Sequence, residues 1–146
     1  MIQSAAKVPA LRVLGDQIRI LLPHRASPAR LAVADLVVQP GSQVPPHYHA
    51  ATDECYYLMD GALEVQVGAA AHRLGAGDFL HLPAGTVHGY RNTSREPAHA
   101  LVWTVGEPID AFFVDLAAHV RELPRDAEAL QRVLSRHDVV MVAPTC

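Results

Sequence analysis

The stretch PPHYHAATDECYYLMDG, residues 45–61, decides the fold of this chain. Two histidines stand one residue apart behind a double proline, a carboxylate follows five residues after the second, and Gly61 ends the run. On a β-strand side chains alternate faces, so His47 and His49 point to one side and Tyr48 to the other, and two imidazoles can reach one ion. Pro45 and Pro46 cannot donate to a sheet ladder and suit the first residues of that strand. The loop Ala50 to Asp53 returns the chain, and Glu54 opens the next strand beside the histidines with Tyr56 and Leu58 on its own face. A third nitrogen ligand has to come from elsewhere.

Outward from this stretch, roughly Arg12 to Val105, the sequence is a series of short apolar or alternating runs: QIRILL, RLAVADLVV, ECYYLM, ALEVQV, DFLHL, TVHGY and HALVWTV. Turn signals such as LGDQ, QPGSQVPP, MDGAL, LGAGD and RNTSREP separate them. The pattern predicts about eight to ten strands with no long helix between them, which argues for an antiparallel sandwich or barrel. After Val105 the period becomes helical: Ile109, Phe112, Phe113, Leu116, Ala117 and Val120 share a face, and Pro124 closes the run. A second helical pattern over about 126–136 places Ala127, Leu130, Val133 and Leu134 together, before a β-like tail, DVVMV. The expectation is one domain over 1–146, with a barrel core at about 12–105 and C-terminal helices and tail at about 107–146.

Half of the 146 residues are apolar, 18% are charged and the formal net charge is −3, so nothing favours a phosphate backbone as partner. No run approaches a membrane span of about 20 apolar residues, and the N-terminus lacks a secretory h-region. A cytoplasmic protein without nucleic-acid or membrane partners is expected. The two cysteines, Cys55 and Cys146, are expected to be free thiols, Cys55 as a small buried hydrophobe turned away from Glu54.

The stretch also fits a longer pattern. Gly41, His47, His49, Glu54 and Gly61 are separated by five, one, four and six residues and resemble the first cupin motif at every fixed position. Gly77, Pro83, Gly85, His88 and Asn92, separated by five, one, two and three residues, resemble the second. The chain is thus identified as similar to small single-domain cupins of the quercetin dioxygenase type. The resemblance implies an all-β double-stranded β-helix, the cupin jelly-roll barrel, with a short C-terminal helical extension. It implies that His47, His49, Glu54 and His88 bind one divalent metal ion per chain, drawn from Fe, Mn, Ni, Co, Cu or Zn. It also implies a metal-dependent oxygenase acting with O2 on a small enol, enediol or flavonol-like substrate, with Glu54 as catalytic base. An isomerase, decarboxylase or lyase working without O2, or a non-catalytic small-molecule-binding cupin, are the alternatives. Cupins of this size commonly dimerise, and QIRILL is long enough to pair with another sheet, so a homodimer is expected.

Period 2 from the ligands nominates Tyr56 and Leu58 beside Glu54, and Thr86 and Tyr90 beside His88, as substrate-facing residues. Asn92 is expected to bond backbone in a turn, and Trp103 to pack in the core. His24, His72, His81, His99, His119 and His137 match no motif position; His119 and His137 are expected to be solvated, while alternation leaves the facing of His81 open.

Overall fold

A computed structural model of the protein describes residues 2–142. Ten strands fill the region that the alternating runs mark out: β1 (Leu11–Val13), β2 (Asp16–Leu22), β3 (Leu31–Val38), β4 (Gln43–Tyr48), β5 (Asp53–Asp60), β6 (Ala62–Val67), β7 (Ala70–Gly75), β8 (Phe79–Leu82), β9 (His88–Arg91) and β10 (Ala98–Val105). Two helices, α1 (Ile109–His119) and α2 (Ala127–Leu134), and a last short strand, β11 (Val140–Met141), follow. The strands form two antiparallel sheets, one in the order β1-β2-β3-β10-β5-β8 and the other β11-β4-β9-β6-β7. They face each other as a double-stranded β-helix with a C-terminal helical part. Among the described residues no helix is long and apolar enough to cross a membrane.

Alternation decides what lies inside. On β10, Ala98, Ala100, Val102 and Thr104 are buried, and on β5 Glu54, Tyr56 and Leu58 are. Leu58, Leu63, Leu82 and Val38 are sealed between the sheets, each worth about 1.5–3 kcal/mol in removal from water. Asn92 fixes the turn after β9. Its amide donates to the carbonyls of Val38 (3.1 Å) and Glu96 (2.8 Å), and its oxygen accepts from Ser94, so it is the backbone clamp that the sequence suggests.

The helices form a second cluster in which Ile109, Phe112, Leu116, Val120, Val133 and Val139 pack with Ala32 of β3. The face expected for α1 is thus observed, but on α2 Ala129 takes the place given to Ala127, which is exposed.

Other expectations are corrected. Trp103 is not core: with Val102 and Thr104 inside, it stands on the outer face of β10, stacked on Phe79 at 5.7 Å between ring centroids. Phe79 is 58% exposed. Cys55, on the same outer side and paired with Trp103, is only half-buried, not a core hydrophobe. Burial and the nearby carboxylates of Asp53 and Glu54 push its thiol up. Cys146 lies outside the described residues. Pro45 and Pro46 do not begin their strand: β4 starts at Gln43, and the prolines sit at a register shift between Val44 and His47, a bulge where the missing N–H groups leave no ladder bond unmade. β1 covers the start of the QIRILL strand, pairing with Asp16, Gln17 and Ile18.

Candidate metal centre

His47 is the last residue but one of β4, His88 begins β9, and the two are register partners in one sheet. His49 follows β4 at the start of the loop to β5, and Glu54 lies on β5 in the opposite sheet. All four side chains are buried, 2–6% exposed, and one donor atom from each lies within 4.8 Å of the others. His88 Nε2 is 2.9 Å and His49 Nε2 3.4 Å from Glu54 Oε2.

The outer nitrogens explain why the inner ones converge. His47 Nδ1 donates to the carbonyl of Pro45 at 2.9 Å and His88 Nδ1 to that of Thr86 at 2.9 Å. His49 Nδ1 donates to the carbonyl of Asp138 at 2.5 Å. A carbonyl can only accept, so each Nδ1 carries its proton and Nε2 is the nitrogen turned to the centre, through which His49 and His88 reach Glu54 and from which a lone pair can go to an ion. Burial and the neighbouring His88 hold the His47 imidazole down to about 4, so it is neutral and free to ligate at pH 7. Burial works against ionisation of Glu54, but the bonds to His49 and His88 outweigh it and hold the carboxyl well below its usual range. Tyr56 donates its phenol to Glu54 Oε1 at 3.0 Å, which fixes the carboxylate plane.

Three imidazoles that turn Nε2 to one point and one ionised carboxylate, closely grouped and buried, are a donor set that fits a divalent ion. These residues can hold a metal ion. Four protein donors leave one or two coordination positions for exchangeable ligands.

The nominated substrate residues divide. Tyr56, Leu58 and Tyr90 line an apolar cavity with His88, Leu63, Val65, Leu74, Leu80 and Leu82; its volume is about 10 Å³, the room of one water. Tyr56 and Tyr90 meet edge-on at 6.2 Å. Thr86 is not in that wall, and what it supplies is the carbonyl that orients His88. Leu80 and Leu82 face inward, so His81 is turned out, 3.5 Å from Asp53 on the surface. His119 is exposed as expected, but His137 is not solvated: it bonds Asp115 Oδ2 at 2.8 Å and packs edge-on against Phe112.

Three residues escaped the sequence reading. Thr104 is the register partner of Glu54 on the same inner face, 1% exposed, and its hydroxyl has no protein partner. With Asp110 Oδ1, also unpartnered, it lines a second small cavity between β3, β10 and α1. Gly89, beside His88, lies so close to β4 that an added Cβ would be 2.7 Å from the Val44 carbonyl oxygen. Asp138 reaches the site from the C-terminal segment. Gly89 alone left a trace, a glycine inside the run TVHGY where a strand residue was expected.

A jelly-roll barrel with three inward imidazoles and a carboxylate is the arrangement of the cupins, and this chain belongs to that family: the Cupin domain matches residues 34–104. It is similar to Protein SchB of Streptomyces halstedii, 35% identical over 68% of this chain and 72% of that one. Quercetin 2,3-dioxygenase of Bacillus subtilis is 33% identical over 53% of this chain, which spans only 23% of that protein. The tetracenomycin polyketide synthase protein TcmJ of Streptomyces glaucescens is 27% identical over 68% of this chain and 71% of its own. Among solved structures, that of a predicted oxalate decarboxylase from Thermotoga maritima has the same fold, with a TM-score of 0.69 at 21% identity over 73% of this chain and 99% of that one.

Proposed function

We propose that this protein is a metal-dependent oxygenase acting on a small, largely apolar enol, of the enediol or flavonol kind. The observation that carries the reading is the buried, ionised Glu54 set among three imidazoles that all present Nε2. A bound divalent ion supplies Lewis acidity that favours the anionic form of an enol oxygen. Glu54, within the same donor cluster and steadied by Tyr56, accepts the hydroxyl proton. Tyr56, Leu58 and Tyr90 make the barrel interior beside the donors apolar and leave room there for about one water, which keeps bulk water from the inner side of the centre. Similarity to a quercetin 2,3-dioxygenase supports O2 as co-substrate.

A second reading, enolate chemistry without O2, draws support from the similarity to a polyketide synthase protein over about two thirds of both chains. Oxygen uptake by the metal-loaded protein on a panel of polyphenolic enols separates the two. Uptake that tracks product, lost in Glu54→Gln, is the expected result. Product formed anaerobically favours the second reading, and recovery of unchanged ligand overturns both.

Thr104 adds an independent check. Its backbone pairs in register with Glu54, and its unpartnered hydroxyl is the kind of buried group that a ligand satisfies. Thr104→Val is expected to raise stability by about 1 kcal/mol, since an orphaned hydroxyl is replaced by a methyl group, while weakening substrate binding about fivefold. Thermal unfolding and KM measured on the same preparation test the pair of effects.

A further inference from the structure

Of the three histidines, two are oriented by their own local chain: the acceptors for His47 and His88 are the carbonyls two residues before them, Pro45 and Thr86. His49 differs. Its acceptor, the Asp138 carbonyl, lies 89 positions further along the chain, beyond both helices. The same residue grips the loop that joins His49 to Glu54. Asp138 Oδ1 accepts from the Ala50 amide at 2.7 Å, and Oδ2 accepts from the Ala51 amide at 3.0 Å and the Thr52 hydroxyl at 2.9 Å.

We propose that Asp138 is a positioning residue for His49, through which the segment from α1 to β11 sets the affinity and geometry of the metal centre. The inference rests on the metal-centre reading above. Asp138 is itself held firmly from behind. Arg136 and His137 donate to Asp115 of α1 at 2.9 and 2.8 Å. Val139 is buried in the helical cluster, and β11 pairs with Tyr48 and His47 on the edge of β4. Docking this segment therefore fixes where the Asp138 carbonyl stands, and that carbonyl fixes the tautomer and ring plane of one ligand. Coupling is reciprocal: an ion bound by His49 holds the segment down as firmly as the segment holds His49.

Co(II) binding to the full chain tests this, read both as affinity by chelator competition and as the visible absorption spectrum of the bound ion. Asp138→Ala keeps the carbonyl that His49 bonds but removes the three side-chain bonds that hold it against residues 50–52, and is expected to weaken Co(II) binding about 10-fold and to shift the spectrum, with Asp138→Asn, which keeps one acceptor oxygen, falling between it and the wild type. Unchanged affinity and spectrum in folded Asp138→Ala overturn the proposal. Wild-type protein provides the check should that variant fail to fold: Co(II) loading is expected to slow hydrogen exchange at the Val139 and Val142 amides, which bond His137 and Pro46, and exchange that does not respond overturns the proposal equally. Wild-type protein that takes up no Co(II) overturns the metal-centre reading together with this one, whereas full uptake without a response in the variant or in exchange overturns this one alone.

Discussion

His88→Ala is expected to weaken divalent-metal binding by more than about 100-fold, the upper end of what loss of a partner merely supporting a ligand brings about. His88 is the one ligand that the second motif supplies, and it joins the sheet of β4 and β9 to the Glu54 carboxylate across the barrel, Nε2 to Oε2 at 2.9 Å. An alanine leaves the ion with three donors and the carboxylate with one imidazole, His49, as its charged-form partner. The barrel is expected to survive, because the strand pairings of β9 are made by backbone. Chelator competition gives the affinity, and circular dichroism of the metal-free variant shows whether the fold is kept. A variant that still binds metal within tenfold of the wild type would place the fourth donor elsewhere.

Gly89→Ala is expected to destabilise the metal-free protein by about 3 kcal/mol or more and to abolish stoichiometric metal binding as well. An added Cβ would stand 2.7 Å from the Val44 carbonyl oxygen and 3.1 Å from the Pro45 carbonyl carbon, both backbone atoms that cannot swing aside. Relief requires β9 to move off β4 at the bulge, and that displacement separates His88 from His47, whose rings are 4.3 Å apart. Gly85→Ala is the control. Gly85 has φ +83° but open space around its missing Cβ, so its substitution carries only a conformational penalty of about 1–2 kcal/mol. Urea unfolding of the two variants, with equal slopes, separates a clash from a turn preference.

His88 was tied to the site only by the likeness of the residues around it to the second cupin motif. The other three were legible because their order is local: strand period puts His47 and His49 on one face, and Glu54 follows one loop later. The barrel was legible for the same reason, since alternation and turn residues act over a few positions. What stayed hidden depends on contacts between distant segments. Thr104 reads as one more β-branched strand residue until β10 is seen to lie beside β5 with Thr104 against Glu54. Asp138 is an ordinary aspartate in a β-like tail until the helices fold that tail onto the loop after His49. Trp103 is expected in the core from its place in the last barrel strand, but the strand period that buries Val102 and Thr104 leaves it outside, where it stacks on Phe79. The prolines misled in a narrower way: absence of an N–H is equally suited to a strand start and to a bulge, and only the pairing of β4 with β9 distinguishes them.

The acceptors that orient the three imidazoles are all main-chain oxygens. Every amino acid carries such an oxygen, so positions 45 and 86 can drift in side-chain identity without disturbing the ligand they aim, provided the local backbone path is kept. The inward wall has no such protection: each exchange at Tyr56, Leu58 or Tyr90 changes the shape of the space beside the donors. A lineage carrying this barrel can therefore explore new chemistries on the wall while its ion-holding frame stays still, with Asp138 the exception, where the side chain as well as the carbonyl is under constraint.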